Sequence, residues 1–258
     1  MLIDTLGETI SAAARSQFDG RPGTVDHDLE VFPDPAAVAA RAAGHVAGLA
    51  SAAVAAGSRF SFAVSRGQTP WAMFRALAAA DMPWASAELF QADERVAPAG
   101  DPDRNLTHLR ESLGAAAVRV HPMPVEEEDL AAAASAYAAA LPGRFDLVHL
   151  GLGPDGHTAS LVPGDPVLDE TSALVAVTLP YQGHRRMTLT YPALARAARI
   201  LWLVTGADKQ QPLARLLSGD RSIPAGRVRA GHSLVMADAQ AAERLHGAAP
   251  AHRHGDQG

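Results

Sequence analysis

A glycine-rich turn that ends in a histidine is the feature of this sequence best suited to chemistry. It follows an apolar run at 145–152 and has the sequence GLGPDGH, with His157 directly after the last glycine. A neutral imidazole can take a proton from water and later return it. Asp155, two residues earlier, either orients that imidazole or only holds the turn through an Asx hydrogen bond. The turn indicates a general base at His157, with an ordinary surface histidine as the alternative.

The same turn contains the spacing G-x-G-x-x-G, at Gly151, Gly153 and Gly156, which also occurs in dinucleotide-binding loops. Two features disagree with that use. Pro154 lies where a helix should begin to donate backbone amides, and the next predicted strand, ALVAVT, does not end in an acidic residue. We therefore interpret the glycines as holding the histidine, and no nucleotide cofactor is expected.

Two other strand–turn–helix junctions are suited to binding an anion. The segment SRGQTP predicts Thr69 as a helix cap and Pro70 as the first helical residue, with free amides nearby. An ordinary capped helix explains this segment equally well. In the second junction, TGADK, Lys209 falls in the first turn of a predicted helix, where a cation opposes the helix dipole unless an anion is close. Lys209 is also the one lysine among 22 Lys and Arg residues, so a phosphate partner is preferred.

A charged triplet, Asp93, Glu94 and Arg95, follows a further predicted strand. Such a triplet is usually a solvated turn. It gains interest only beside the other sites, because ligands of open α/β sheets bind at the carboxyl ends of the strands.

The elements that must position these residues alternate along the chain. Predicted strands cover 29–32, 59–64, 87–92, 118–123, 145–152, 173–179, 186–191, 199–206 and 233–238, and predicted helices cover 34–57, 70–80, 105–113, 126–141 and 208–219. Apolar strands between helices favour an α/β fold with a mostly parallel sheet covered on both faces. The pair at 173–191 is expected to be a small antiparallel addition. One α/β domain is expected at 29–247, with a weakly structured arm at 1–28 and a disordered tail at 248–258.

Composition restricts the classes of function. The chain has 258 residues and no cysteine, which excludes disulfides, thiolate metal sites and thiol nucleophiles and fits a cytoplasmic protein. A net charge of -6 disfavours nucleic-acid binding. Neither a signal peptide nor a membrane span is expected, since no run of about 20 apolar residues is free of charges or helix breakers. The sequence does not decide between a monomer and a dimer.

Five motifs, in order along 62–242, resemble those of the 6-phosphogluconolactonases of the pentose phosphate pathway. They are SRGQTP, DERVAPAGDPDRN, LGLGPDGHTASLVPG, RRMTLTYPAL and VTGADK. The third follows the signature G-x-G-x-D-G-H-x-A-S-L-F-P of that family, with Val162 in place of Phe. The resemblance implies a modified Rossmann-like fold, shared with the glucosamine-6-phosphate deaminases. It also implies hydrolysis of 6-phospho-D-glucono-1,5-lactone, a phosphosugar lactone, without a metal or other cofactor.

The resemblance also assigns roles to individual residues. His157 matches the catalytic histidine, Arg95 matches an arginine that faces the sugar-acid end, and Asp155 belongs to the histidine motif. The residues implied for phosphate binding are Gly67, Gln68, Thr69, Arg186 and Lys209.

Two departures from the family's loop concern the phosphate site. Arg66 replaces a glycine and Gln68 replaces a serine. If that position needs a positive φ, Arg66 costs roughly 1 kcal/mol or more. Arg66 either adds a charge to the phosphate site or indicates a different ligand.

Two alternative functions remain. The first is an amino-sugar phosphate deaminase/isomerase, disfavoured because Val162 stands where those enzymes carry a carboxylate. The second is a non-catalytic sugar-phosphate-binding protein, for which the chain offers no charge suited to a DNA-binding output domain.

Overall fold

The computed structural model describes residues 27–116 and 118–247. Within them, the ten strands are β1 His27–Phe32, β2 Phe60–Val64, β3 Ala87–Gln91, β4 Asp93–Arg95, β5 Arg119–His121, β6 Leu147–Leu150, β7 Val175–Val177, β8 Arg186–Leu189, β9 Ile200–Val204 and β10 Ser233–Asp238. The seven α-helices in the same residues are α1 Pro35–Ala55, α2 Gln68–Ala78, α3 Asn105–Leu113, α4 Leu130–Ala140, α5 Tyr191–Leu194, α6 Gln210–Leu217 and α7 Ala239–Ala242. The predicted tail and all but the last two residues of the predicted arm lie outside the described residues; 27–28 belong to β1.

The main sheet has seven parallel strands in the order β1-β10-β9-β6-β2-β3-β5. Its central strands β6 and β9 are buried at every position. The sequence of β9 is entirely apolar, and β6 is apolar except for the buried His149. The prediction of a mostly parallel α/β fold is confirmed.

The core consists of two layers, one on each face of the sheet. Alternate side chains of β9 point to opposite layers, with Leu201 and Leu203 in one and Ile200, Trp202 and Val204 in the other. The first layer includes buried residues of α1, α2 and α3, and the second includes those of α4, α6 and α7. Because both faces of the sheet are buried, the register of each strand is fixed, and with it the position where each loop leaves the sheet.

Helix α1 is the one described helix that is long and apolar enough to cross a membrane, a test that the core helix of a soluble protein also passes. Its buried face, which includes Val38, Ala42 and Val46, belongs to the first core layer. The helix contacts α2 and strand β10. In this fold α1 is a core helix.

The chain builds the main sheet outward in two directions from its middle. From β2 it continues to β3 and β5 on one side, and from β6 it continues to β9 and β10 on the other. The loops after β2 and β6 therefore leave the same edge of the sheet and diverge. This topological switch point is where open α/β sheets form a ligand crevice, and it brings the SRGQTP loop beside the histidine turn.

A second sheet is antiparallel and has the order β4-β8-β7. The predicted antiparallel addition at 173–191 is confirmed as β7 and β8. The triplet Asp93–Arg95, for which a solvated turn is the usual interpretation, forms the buried strand β4 instead. This correction places Arg95 directly opposite Arg186 in the register of the two strands.

Burial of the triplet depends on Glu94, whose carboxylate is fully buried but well supplied with partners. Four N–H groups donate to it: Arg95 N (2.7 Å), Asn105 N (2.7 Å), Leu106 N (2.8 Å) and Gln91 Nε2 (2.8 Å). The guanidinium of Arg104 forms an ion pair with it at 3.3 Å. Two of these donors are the free amides at the start of α3. Glu94 therefore caps α3 from a distant strand and ties the helix to β4.

The start of α2 differs from the prediction. The helix begins at Gln68, with Gly67 as its N-cap residue at a φ of 149°. Thr69, predicted as the cap, instead shares a hydrogen bond of 2.8 Å with the hydroxyl of Thr205. Since a glycine cap has no side-chain acceptor, the first amides of α2 are left for another partner.

Candidate active site

A cavity of about 430 Å³ opens at the switch point. Every predicted site residue except Asp155 lines it: Arg66, Gly67, Gln68, Thr69, Arg95, His157, Arg186 and Lys209. These residues come from the loops after β2, β6 and β9 and from strands β4 and β8. The fold thus brings the imidazole and the one ammonium group to a single cleft.

Asp155 does not line the cavity but is bonded to His157. Its Oδ1 lies 2.5 Å from His157 Nδ1 and accepts the backbone N–H of the same residue at 3.1 Å. The hydroxyl of Tyr181 donates to Asp155 Oδ2 at 3.2 Å. Burial raises the pKa of the Asp155 carboxyl, but these hydrogen bonds and the charge of His157 outweigh burial and hold that pKa below its ordinary value. A carboxylate on Nδ1 leaves Nε2 of the neutral ring as the nitrogen that can accept a proton.

Two glycines of the turn are required by close contacts. A Cβ built on Gly153 would lie 2.1 Å from the Nδ1 atom of His157. At Gly156 the φ is +82°, and a Cβ would lie 2.6 Å from Ile223. Gly153 therefore allows the imidazole ring to lie against the backbone, and Gly156 allows the turn to pack against Ile223.

Four cations border the cavity. Arg95 is bonded to the carboxylate of Asp103 at 2.6 Å, and the ammonium of Lys209 is 2.7 Å from Asp208. Lys209 ends a short 3-10 turn directly before α6, rather than lying in the first turn of that helix. The side chains of Arg66 and Arg186 complete the set. The cleft is suited to an anionic ligand that bridges several of these groups.

The three arginines lie close enough to repel one another. Burial lowers the pKa of Arg186, partly offset by Asp93, and repulsion from Arg95 and Arg66 lowers it further. Burial and the charge of Arg95 lower the pKa of Arg66 in the same way. A bound anion would relieve this repulsion.

Asp93 is a cavity residue to which the sequence gave no separate role. Its carboxylate is buried and accepts the hydroxyl of Ser160 at 2.7 Å and that of Ser65 at 3.4 Å. Burial raises the pKa of Asp93, although Ser160 and Arg186 oppose the shift. Gln182, which also lines the cavity, was missed as well.

Most of the chain, residues 33–237, matches the family model described as glucosamine-6-phosphate isomerases/6-phosphogluconolactonase. The chain belongs to this family. A curated 6-phosphogluconolactonase of Mycobacterium tuberculosis is 36% identical over 241 residues, which cover 84% of this chain and 98% of that protein.

Solved structures of the isomerase and lactonase family share the fold. A 6-phosphogluconolactonase from Shewanella baltica matches with a TM-score of 0.75 and 28% identity, over 84% of this chain and 98% of its own. A monomeric glucosamine-6-phosphate deaminase also matches, with a TM-score of 0.75 and 18% identity, over 83% and 98%. At that identity the deaminase shows the shared fold alone.

Within the family pattern, Arg66 is the departure that the structure clarifies. Among the described non-glycine residues, positive φ values occur only at Ala159 and Gln182, so Arg66 carries no left-handed strain. Its guanidinium borders the cavity and makes no hydrogen bond or ion pair with any described residue. The expected cost of about 1 kcal/mol therefore does not arise.

Replacing Gly153 with alanine is expected to lower kcat about tenfold, because the new methyl group displaces the ring of His157. Initial rates over a range of substrate concentrations measure the effect. Gly143→Ala is the matched control, since a Cβ there has nothing within 4 Å and the residue has no positive φ. Equal kcat values for both variants would contradict the packing role of Gly153.

Proposed function

We propose that this protein is a 6-phosphogluconolactonase. It hydrolyses 6-phospho-D-glucono-1,5-lactone to 6-phospho-D-gluconate in the oxidative branch of the pentose phosphate pathway. The observation that supports the proposal is the shared cavity, which is lined by His157 and four cations, with Asp155 bonded to His157 from behind. The relatives named as 6-phosphogluconolactonases support the same activity.

The phosphate of the substrate occupies the cationic part of the cleft. The free amides at the start of α2, from Gly67 to Thr69, donate to its oxygens. Arg186 and Lys209 supply charge, and Arg66 adds a guanidinium without a competing partner. Binding of this remote group holds the lactone in position, so that binding energy is converted into orientation at the reacting carbon.

The hydrolysis uses His157 twice. Its Nε2 takes a proton from a water molecule as the water oxygen bonds to the lactone carbonyl carbon. Arg95, which also lines the cavity, stabilises the oxyanion of the tetrahedral intermediate. The C–O bond to the ring oxygen then breaks, and the imidazolium returns its proton to that oxygen. Asp155 holds Nδ1 and stabilises the imidazolium between the two transfers.

The reaction needs no cofactor, because a lactone is an activated ester and both proton transfers fall to one imidazole. The substrate is a soluble phosphosugar, and we infer a cytoplasmic enzyme without a nucleic-acid or membrane partner. The deaminase alternative is disfavoured by Val162, an apolar residue with 4% exposure, at the position where a carboxylate is expected.

The test compares the phosphorylated lactone with D-glucono-1,5-lactone, both freshly prepared and corrected for spontaneous hydrolysis. We expect kcat/KM to be at least about tenfold higher for the phosphorylated substrate, and Lys209→Met to raise its KM about tenfold with a smaller change in kcat. Arg196→Met, which removes an exposed cation outside the cavity, is the control and should leave KM unchanged. Equal rates on the two lactones would refute the phosphate site, and no rate above the spontaneous one would refute the lactonase.

A further inference from the structure

The turn between β7 and β8 reaches the active site from outside the predicted motifs. Tyr181 and His184 exchange backbone hydrogen bonds of 2.9 Å and 3.3 Å, which close the turn. The two residues between them, Gln182 and Gly183, have φ values of 50° and 86°. These values fit a tight type I′ hairpin turn, which holds its first residue in a defined direction.

Tyr181 contacts three parts of the proposed active site. Its hydroxyl donates to Asp155 Oδ2 at 3.2 Å, and its ring meets that of His157 edge to face with centroids 5.7 Å apart. The guanidinium carbon of Arg186 lies 5.0 Å from the centre of the same ring. One side chain thus joins the proposed base, the carboxylate behind it and a cation of the phosphate site.

The two oxygens of Asp155 have different partners. Oδ1 holds the His157 ring, whereas Tyr181 is the one donor to Oδ2 among the described residues. Without the hydroxyl the carboxylate is held through Oδ1 alone and is less restrained about its Cβ–Cγ bond. The direction of the His157 ring would then be less well defined.

The turn also holds the guanidinium of Arg186 in place through two hydrogen bonds. Its Nη2 donates to Gln182 Oε1 at 3.3 Å and to the carbonyl oxygen of Tyr181 at 3.4 Å. The guanidinium is therefore held over the Tyr181 ring by the turn that presents that ring. A cation in contact with an aromatic face is stabilised without losing its charge for a ligand.

We propose that Tyr181 is a positioning residue for the lactone hydrolysis proposed above, on which this role rests. Its hydroxyl fixes Asp155 and thereby the His157 ring, and its aromatic face holds Arg186 against the phosphate. The two functions belong to different atoms of one side chain, so substitutions can separate them.

The first experiment measures kcat and KM for the phosphorylated lactone with two variants. Tyr181→Phe keeps the ring, so kcat is expected to fall about five- to tenfold while KM stays within about twofold. Tyr181→Leu also removes the support under Arg186, so KM is expected to rise about threefold in addition. Tyr191→Phe is the matched control: it deletes a hydroxyl that bonds to Pro224 O at 2.9 Å, outside the cavity, and should change neither constant.

A double-mutant cycle tests whether the hydroxyl acts through Asp155. In an Asp155→Ala background, Tyr181→Phe should lower kcat less than twofold, because the partner of the hydroxyl is absent. An undiminished effect in that background, or a wild-type kcat for Tyr181→Phe alone, would overturn the proposal. Wild-type protein without activity on the phosphorylated lactone would refute the proposed function and this role together.

Discussion

Replacing His157 with alanine is expected to lower kcat for the phosphorylated lactone by about 10²- to 10⁴-fold, the usual contribution of a general base. His157 is the one imidazole that lines the described cavity, and its Nδ1 is already bonded to Asp155. No other cavity side chain has a free imidazole nitrogen to exchange protons with water and the ring oxygen. Stopped-flow or pH-stat rates, corrected for spontaneous hydrolysis, measure the loss.

Measuring how tightly His157→Ala binds the product shows whether the variant has lost proton transfer alone or also the shape of the site. The affinity for 6-phosphogluconate, measured by calorimetry, should change less than about threefold, because the residues proposed to bind the phosphate lie outside the histidine turn. His232→Ala removes an exposed histidine outside the cavity and is expected to behave as wild type. Loss of both product binding and activity in His157→Ala would show that the ring is needed for the shape of the site rather than for proton transfer.

Glu94→Ala is expected to lower the free energy of unfolding by about 3–5 kcal/mol, the range typical for breaking a buried ion pair. The fully buried carboxylate accepts four hydrogen bonds and pairs with Arg104 at 3.3 Å. Its loss leaves the first amides of α3 without an acceptor and leaves the buried guanidinium with the more distant carboxylate of Glu126, at 3.7 Å. Chemical denaturation followed by circular dichroism gives the difference in unfolding free energy.

Two further variants make the Glu94 prediction decisive. Glu94→Gln keeps the size of the side chain and is expected to lose less stability than Glu94→Ala, since one amide oxygen still accepts. Glu127→Ala removes an exposed acidic residue that has no hydrogen bond or ion pair with the residues that the structure describes, and it should unfold as wild type does. A Glu94→Ala protein as stable as Glu127→Ala would show that the network contributes little.

The order of strands and helices could be predicted because the apolar strands are buried on both faces. A run such as ILWLV in β9 has no polar residue that could face water, so a strand buried on both faces is predicted from its composition alone. The positions of the loops after β2 and β6 followed from the same pattern. The loops that carry His157, Thr69 and Lys209 were found because each follows a strand of the parallel sheet, which gathers such ends at one edge. Arg186 was found only through the resemblance to the family, because it begins strand β8 of the antiparallel sheet.

The misplaced residues depend on partners far away in the chain. Asp93–Arg95 has the composition of a surface turn, and its burial depends on the amides of α3, on the ion pair with Arg104 and on the pairing with β8. Thr69 has the chemistry of a cap, but its hydroxyl meets Thr205, 136 positions later in the sequence. The role of Tyr181 could not be predicted, because no residue near it in the sequence indicates that its hydroxyl contacts Asp155. Local patterns cannot contain this information.

Strand β1 shields the sheet from other molecules. It is the outermost strand on its side and pairs with β10 over six residues, from His27 to Phe32. β10 is buried at all its positions, and without β1 it would present an apolar edge with unpaired N–H and C=O groups. A shortened protein that begins after Phe32 would therefore self-associate through this edge, and aggregation would remove it from solution although every residue of the proposed active site is still present.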